Sequence, residues 1–381
     1  MAERFKVTFT GIAEPVEVKP GASIAEAASL VGRPIGQPCG GQGRCGRCIV
    51  RVEGLDKAIV RRSSIRLSAQ DIARGDALAC QTFIYGDVGV DIPHQEKLER
   101  KLKMDRTASM VHVPAGYDVQ VDQTIRRIPL SLTPPSMDDQ TDDWSRLRKA
   151  ISQQGGLDCR QARVSLPLLR KMGAIFRSSN WTVTAIVDSG SSSPRLIDLL
   201  PGKVPQEAPL WGAAIDIGTT TVTVWLVNLL SGEVCVQEAD YNHQIQYGED
   251  VISRIIYAGK NHGGEELRLK ALETINNLLD QACDHAACQP GQVYKAAITG
   301  NSTMTHLLLG IPPESIRLMP FITAVNQPPL LRAIEMGLAI HPDASVDCLP
   351  GVASYVGSDI SAGVLSSAMA DSDRVSLFID I

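Results

Sequence analysis

The chain has 381 residues, enough for two or three domains that each bury a core, and its 44% hydrophobic and 21% charged residues exclude a disordered polypeptide. A formal charge of −5 without a long basic stripe argues against a nucleic-acid or anionic-membrane surface, and no stretch reaches the roughly 18 uninterrupted apolar residues of a spanning helix. Met1 to Thr10 lacks the apolar segment of a secretory signal, so a cytoplasmic location is expected, where nine cysteines point to metal or redox chemistry rather than to disulfides.

In chain order, Lys6–Thr10 and Val16–Lys19 alternate as a hairpin does, with Gly11 in the connection. Ser23 reads as the N-cap of a helix over Ile24–Val31 that Gly32 ends. The glycine-rich stretch Pro38–Cys48 follows, then a strand Ile49–Val52, a small helix after Ser68 and a strand Val88–Ile92. This is an α+β, β-grasp-like domain over residues 1–94. The charged run Lys97 to Lys103 opens a linker over 95–124, read as a solvated tether. A small middle α/β domain over 125–206 holds a strand Arg126–Leu132, a turn at Thr133-Pro134-Pro135, a helix around Trp144–Ile151, a strand Trp181–Asp188 and a turn over Ser189–Pro194. It shows no chemistry of its own.

From 207 to 381 the order changes. Strands Ala213–Ile217, Thr221–Asn228 and Val234–Tyr241 come first, with helices Glu249–Ala258 and Glu265–His285 behind them. A strand Lys295–Thr299, a helix Thr303–Leu309, a small-residue helix Ser358–Met369 and a final strand Ser376–Ile381 complete an α/β pattern.

Cys39, Cys45 and Cys48 form C-x5-C-x2-C, and Cys80 follows after 31 intervening residues. The spacing is close to the plant-type C-x4-C-x2-C…C pattern of 2Fe–2S clusters, with one residue more in the first gap, a gap that ferredoxins of the adrenal type also have. Four thiolates around a di-iron cluster need closely wrapped backbone whose N–H groups reach the sulfurs, and Gly40, Gly41, Gly43 and Gly46 permit it. Zinc is the rival, but zinc sites present a second closely spaced pair and Cys80 stands alone. Cys159, Cys235, Cys283, Cys288 and Cys348 read as small buried hydrophobes; Cys283 and Cys288, five apart on a helix, would point about 140° apart.

The segment Ala213-Ala214-Ile215-Asp216-Ile217-Gly218-Thr219-Thr220-Thr221 is a strand running through a turn into the next strand. Such a turn can clasp phosphate: Gly218 allows close approach, N–H groups and the hydroxyls of Thr219, Thr220 and Thr221 donate, and Asp216 can orient hydrated Mg2+. The alternative is an ordinary threonine-rich hairpin. The segment resembles the phosphate-1 loop of the actin, Hsp70 and sugar-kinase superfamily (ASKHA). The small-residue helix near 358–369 and the strand ending in Asp380 resemble the connect-1 and phosphate-2 elements of the same superfamily. The chain stops at Ile381, where a second Gly-Thr turn is expected, so a C-terminally truncated nucleotide domain is the expectation.

With the cysteine motif in front, Tyr247-Gly248-Glu249-Asp250-Val251-Ile252-Ser253-Arg254-Ile255 and Thr299-Gly300-Asn301-Ser302-Thr303-Met304 behind it, the chain resembles the ATP-dependent reductive activators of corrinoid proteins over essentially its whole length. The resemblance implies a 2Fe–2S cluster on Cys39, Cys45, Cys48 and Cys80, and ATP with Mg2+ at Asp216 and its turn. It also implies a low-potential electron donor and a corrinoid protein whose cobalt(II) is reduced to cobalt(I). For Glu249, Asp250 and Asn301 it implies motif membership only, and an acidic pair at a helix start also complements the helix dipole. These 381 residues alone are expected to bind nucleotide weakly and to lack ATPase activity, which belongs to a longer parent. Two alternatives stay open: a ferredoxin-type electron carrier with a non-catalytic C-terminal docking module, and a small-molecule kinase with a ferredoxin sensor.

Overall fold

The computed structural model describes residues 3–37, 39–53, 56–93, 118–369 and 375–379. The charged run at 97–103, most of the expected linker and Asp380 lie outside the described residues.

The first sheet has the order β2-β1-β7-β3-β5, from β1 (Phe5–Phe9), β2 (Val16–Val18), β3 (Ile49–Glu53), β5 (Asp76–Leu78) and β7 (Val88–Asp91). The hairpin β1–β2 is antiparallel, whereas β1 and β7 run parallel. A two-stranded ribbon, β4 (Ile59–Arg61) with β6 (Thr82–Ile84), stands beside it. Ser23 caps α1 (Ile24–Leu30) through a reciprocal bond with Glu26, and Ile24, Ala25, Ala27 and Ala28 are buried with Val7, Phe9 and Val50. A second Ser-capped helix, α2 (Ala69–Ala73), leads into β5.

After the one-turn α3 (Val119–Asp122) comes a four-stranded sheet in the order β8-β10-β11-β9: β8 (Ile125–Ser131), β9 (Arg163–Val164), β10 (Thr182–Asp188) and β11 (Arg195–Pro201). Pro129 is tolerated because β8 is an edge strand. Helices α4 (Asp143–Gly155) and α5 (Leu166–Ser178) pack on it through Leu147, Ile151, Leu168, Met172 and Phe176.

The third sheet has the order β14-β13-β12-β15-β17-β16, from β12 (Trp211–Ile217), β13 (Thr221–Asn228), β14 (Glu233–Tyr241), β15 (Val293–Gly300), β16 (Leu331–Arg332) and β17 (Ser345–Cys348). Strands β12, β13 and β14 are antiparallel neighbours, and β12, β15 and β17 run parallel. The long α7 (Gly263–His285) buries Leu267, Ala271, Ile275, Leu278 and Ala282 against β13 and β14. α6 (Val251–Ala258) and α8 (Ser302–Leu308) pack on α7, the short α9 (Glu314–Arg317) packs on α6 and α10 (Ala333–Met336) on β16, and α11 (Ser358–Ser366) packs on β15. A small apolar core of Ile125, Ile186, Ile197, Leu210 and Tyr294 joins the second unit to the third.

Three expectations are corrected. Residues 375–379 form no strand: among the described residues no sheet strand pairs with them, Val375 and Leu377 are exposed, and the Phe378 ring lies against Gly363 of α11 instead. Cys235 is exposed and Cys288 half-buried, so two of the five remaining cysteines are not core residues. The 140° separation of Cys283 and Cys288 does not apply, because α7 ends at His285 and the chain folds back so that Cys288 N donates to Cys283 O at 2.9 Å.

Candidate cluster loop and phosphate hairpin

The cysteine loop is positioned by pairing on both sides. Register Ile49↔Leu78 sets β3 beside β5, and Ala79 N donates to Cys48 O at 2.8 Å, which brings Cys80 next to Cys48. The sulfurs approach two by two, Cys39 with Cys45 at 3.4 Å and Cys48 with Cys80 at 3.3 Å. Two thiolates sharing one tetrahedral ion stand within about 4 Å of each other. The four thiols thus stand as two close pairs. Backbone N–H groups of Gln42, Arg44 and Cys45 reach the Cys39 sulfur, that of Arg47 reaches Cys45, and that of Gly43 reaches Cys80. This donor set fits a 2Fe–2S cluster, whose sulfurs carry the added charge on reduction.

The titration of the thiols follows from the same contacts. The hydrogen bond with Cys80 brings Cys48 down to about 7 against the opposing effect of burial, and the shared contact pushes Cys80 well up. For Cys39, burial acts upward, but the amides of Cys45 and Arg44 together hold it below its ordinary value. Gly40, Gly41, Gly43 and Gly46 all have positive φ between 63° and 77°.

One side of this loop rests on the third unit. Gln37 N donates to Gln246 O at 2.7 Å, Lys260 Nζ donates to Gly40 O at 2.7 Å, and Arg47 pairs with Glu249 at 3.1 Å. A Cβ at Gly40 would lie 2.5 Å from Ser253 O, so the loop and α6 are in backbone contact.

At the hairpin tip between β12 and β13, Gly218 is required by crowding rather than by a left-handed φ, since a Cβ there would lie 2.6 Å from Thr221 O. The tip carbonyls are held from within the protein. Asn242 Nδ2 donates to Gly218 O at 2.9 Å, Asn242 N donates to Thr220 O at 2.9 Å, and Arg254 donates to Thr219 O. Asn301, the N-cap of α8, donates from Nδ2 to Thr219 Oγ1 at 3.1 Å. Asp216 lies on β12 opposite Thr223 and Thr299, and Thr299 reaches Ser358 at the start of α11. Asp216, Gly218, Thr219 and Thr221 are half-buried and Thr220 is exposed.

Arg254 has no exposed surface, and its other donors go to Gly248 O and Gln244 Oε1, both at 2.9 Å, and to the Met304 sulfur at 3.1 Å. Burial brings its guanidinium down to about 10, the charge of Asp250 acting the other way. Asp250 caps α6 by accepting from Ser253 N at 2.8 Å. The sequence motif over 247–255 thus spans the distance from hairpin to cluster loop: Arg254 holds the tip, while Glu249 and Ser253 meet the loop. The motif is visible in the sequence, but a task for Arg254 is not; an arginine on the apolar face of an eight-residue helix was the available signal. Asn242, Lys260 and Ser358 carried no such signal.

Among the described residues no helix is long and apolar enough to cross a membrane. Three family models match the chain in order: the 2Fe-2S iron-sulfur cluster binding domain over residues 7–85, the RACo linker region over 116–206 and the RACo middle region over 211–372. The corrinoid activation enzyme RamQ of Eubacterium limosum is 27% identical over 99% of this chain, which spans 57% of that protein. A solved structure titled reductive activator for corrinoid, iron-sulfur protein is 37% identical with a TM-score of 0.62, covering 97% of this chain and 59% of that one. The first unit alone is 29% identical over 75 residues to a component of the Na(+)-translocating NADH-quinone reductase of Haemophilus influenzae (strain PittEE), covering 20% of this chain and 18% of that protein. Along nearly its whole length the chain is similar to corrinoid activators, of which it spans less than three-fifths, and its N-terminal unit is a 2Fe–2S iron–sulfur domain of the electron-transfer type.

Proposed function

We propose that this chain carries the electron-entry module of a cytoplasmic, ATP-dependent activator that returns an oxidised corrinoid protein from cobalt(II) to cobalt(I). In this reading Cys39, Cys45, Cys48 and Cys80 hold the cluster, and Asp216 with Gly218, Thr219, Thr220 and Thr221 takes the phosphates and Mg2+ of ATP. The observation that carries it is the joining, through α6, of two paired-thiol sites to a hairpin tip braced by a buried cation. In the same reading the units are 1–94, 125–206 and 207–381 with 95–124 as the connection, a division that the separate sheets support. The order β14-β13-β12-β15-β17, three antiparallel strands followed by parallel ones, supports the first half of an actin-like (ASKHA) nucleotide domain.

When bound, the cluster supplies a one-electron carrier for a low-potential donor. The amides on Cys39, Cys45 and Cys80 stabilise negative charge on the sulfurs, and the burial of Cys48 and Cys80 keeps water from them. At the hairpin, Arg254 and Asn242 occupy the tip carbonyls, which keeps acceptor oxygens away from an incoming anion, and the buried guanidinium adds positive charge beneath it. The hydroxyls of Thr219 and Thr220 would then donate to phosphate, and Asp216 would hold Mg2+ beside it. Driving an uphill electron transfer with ATP requires two conformations that both sites bias, and α6 touches both.

The test uses a polypeptide of the relatives' length and a corrinoid protein poised as cobalt(II). The cobalt(I) spectrum is expected to appear with a low-potential donor only when Mg-ATP is added; equal reduction without ATP removes the reading. The docking of the loop on α6 favours one second reading, an electron carrier whose C-terminal part only holds the cluster domain, which calorimetry would reveal as an absence of nucleotide binding.

A further inference from the structure

The cluster loop has two sides. One faces α6, as described. The other is bordered by residues 61–66, which the loop holds by backbone and close packing. Arg62 N donates to Gln81 O at 2.8 Å, Arg66 Nε donates to Arg44 O at 2.5 Å, and a Cβ at Gly46 would meet Arg66 Cβ at 3.1 Å. These contacts place Arg44 and Arg66 beside Gly46, next to Cys45, and Arg62 beside Gln81, next to Cys80, and all three are exposed. Ile65 stands among them with 79% of its surface exposed.

Among the described residues no carboxylate pairs with any of the three arginines; Arg62 lies over the Phe83 ring at 5.2 Å and Arg66 is engaged by a carbonyl. In a chain whose net charge is −5 this concentration of cations is local, not background. Arginines beside an exposed apolar residue are the composition of a protein interface: the apolar centre is dried on contact and the cations at the rim steer the approach.

We propose that the rim of Arg44, Arg62 and Arg66 around Ile65 is the docking face for the protein that exchanges electrons with the cluster, and that this partner presents an acidic surface. The proposal rests on reading the four cysteines as cluster ligands. The side toward α6 meets the loop at Gly40 and leaves a cleft that Gly41, Cys80, Tyr257 and Lys260 line, with Arg62 at its edge, while Arg44 and Arg66 border the loop beside Gly46. Redox encounters bury little area and depend on fast association, so charge at the rim acts mainly on the on-rate.

An acidic flavodoxin serves as the probe. Its binding to the cluster-loaded chain is measured by calorimetry at low and high salt, and transfer of one electron from its reduced flavin to the oxidised cluster is followed by stopped-flow absorbance. Binding and rate are expected to fall at least tenfold between about 20 mM and 500 mM salt, where the Debye length shrinks to a few ångströms. The triple variant R44E/R62E/R66E should bind and accept electrons at least tenfold less well at low salt and converge with the parent at high salt. Ile65→Ser should weaken binding equally at both salts, and Arg170→Glu, on exposed α5 surface, should change nothing. An unchanged visible spectrum shows that the loop is intact; if the charge reversal prevents cluster loading, R44Q/R62Q/R66Q replaces it, with a smaller loss expected in the same direction. Equal binding by parent and variant at low salt overturns the proposal, as does tight binding of a single-stranded oligonucleotide where flavodoxin does not bind. A chain that takes up no cluster on reconstitution yet binds flavodoxin through the rim keeps the docking face and removes the cluster reading instead.

Discussion

The cluster loop and the hairpin tip are both glycine-bearing turns that gather polar groups, but they are built in opposite ways. In the loop the reactive atoms are its own, and three of four sulfurs come from ten consecutive residues, Cys39 to Cys48. At the tip the atoms that matter arrive from Asn242, Arg254 and Asn301, brought in by β14, α6 and β15. Local spacing carries the first site; sheet topology assembles the second. The loop should therefore fail when any single ligand is lost, and the hairpin should degrade gradually as its braces are removed.

The largest effect is expected from Cys48→Ser or Cys80→Ser, each of which should abolish more than 90% of the visible absorption of reconstituted protein, because each removes one sulfur of the buried Cys48–Cys80 pair. Cys235→Ser, on exposed β14, should retain it all.

Next comes Arg254→Met. It leaves Thr219 O, Gly248 O and Gln244 without their buried donor, and a loss of about 3 kcal/mol in urea unfolding of the third unit is expected, with the iron–sulfur spectrum retained. A loss below about 1 kcal/mol would show that the tip does not depend on this brace.

Gly40→Ala tests the contact between the two regions. It combines a positive φ of 63° with a clash at Ser253 O, so hydrogen exchange at Gly40 and Gly41 should rise at least tenfold. Gly32→Ala, at φ 71° with open space around it, carries only the conformational cost, about 1 kcal/mol, and should leave the loop protected.

The smallest effect is a pH dependence confined to the hairpin side. His306 on α8 is fully buried, with Nδ1 on Ser302 O at 2.6 Å and Nε2 accepting from Ala324 N at 3.0 Å, and burial lowers its pKa below the ordinary imidazole value despite the carbonyl. The unfolded chain takes up the proton first as pH falls, so the stability present above the ordinary value is lost as pH drops through the lowered one. Melting temperature should decrease from pH 7.5 to 5 in the parent and less in His306→Gln.

The same contrast explains how much of the molecule was legible. Period-two alternation and tight turns revealed β12, β13 and β14, and Ser23 revealed the start of α1, because each signal is local. Helix α5 is absent from the sequence expectations although Leu168, Met172 and Phe176 repeat every four residues behind a Ser165 cap. Strand β17 has four residues and is identified by its parallel register with β15, which no local pattern encodes. The segment 375–379 misled for the converse reason: it is apolar and β-branched, but a strand exists only where a neighbour pairs with it. The four cysteines could be singled out by their spacing, yet their division into two pairs could not, since it depends on the β3–β5 register that carries Cys80 to Cys48.

The central claim is that the four cysteines act as two pairs on a di-iron cluster. Anaerobic reconstitution followed by iron, sulfide and zinc analysis, together with the electron paramagnetic resonance spectrum of the reduced protein, tests it most directly. The account predicts about two irons and two sulfides per chain and a half-integer spin signal that appears on one-electron reduction and vanishes in each of the four serine variants. One zinc or one iron per chain with no sulfide would contradict it.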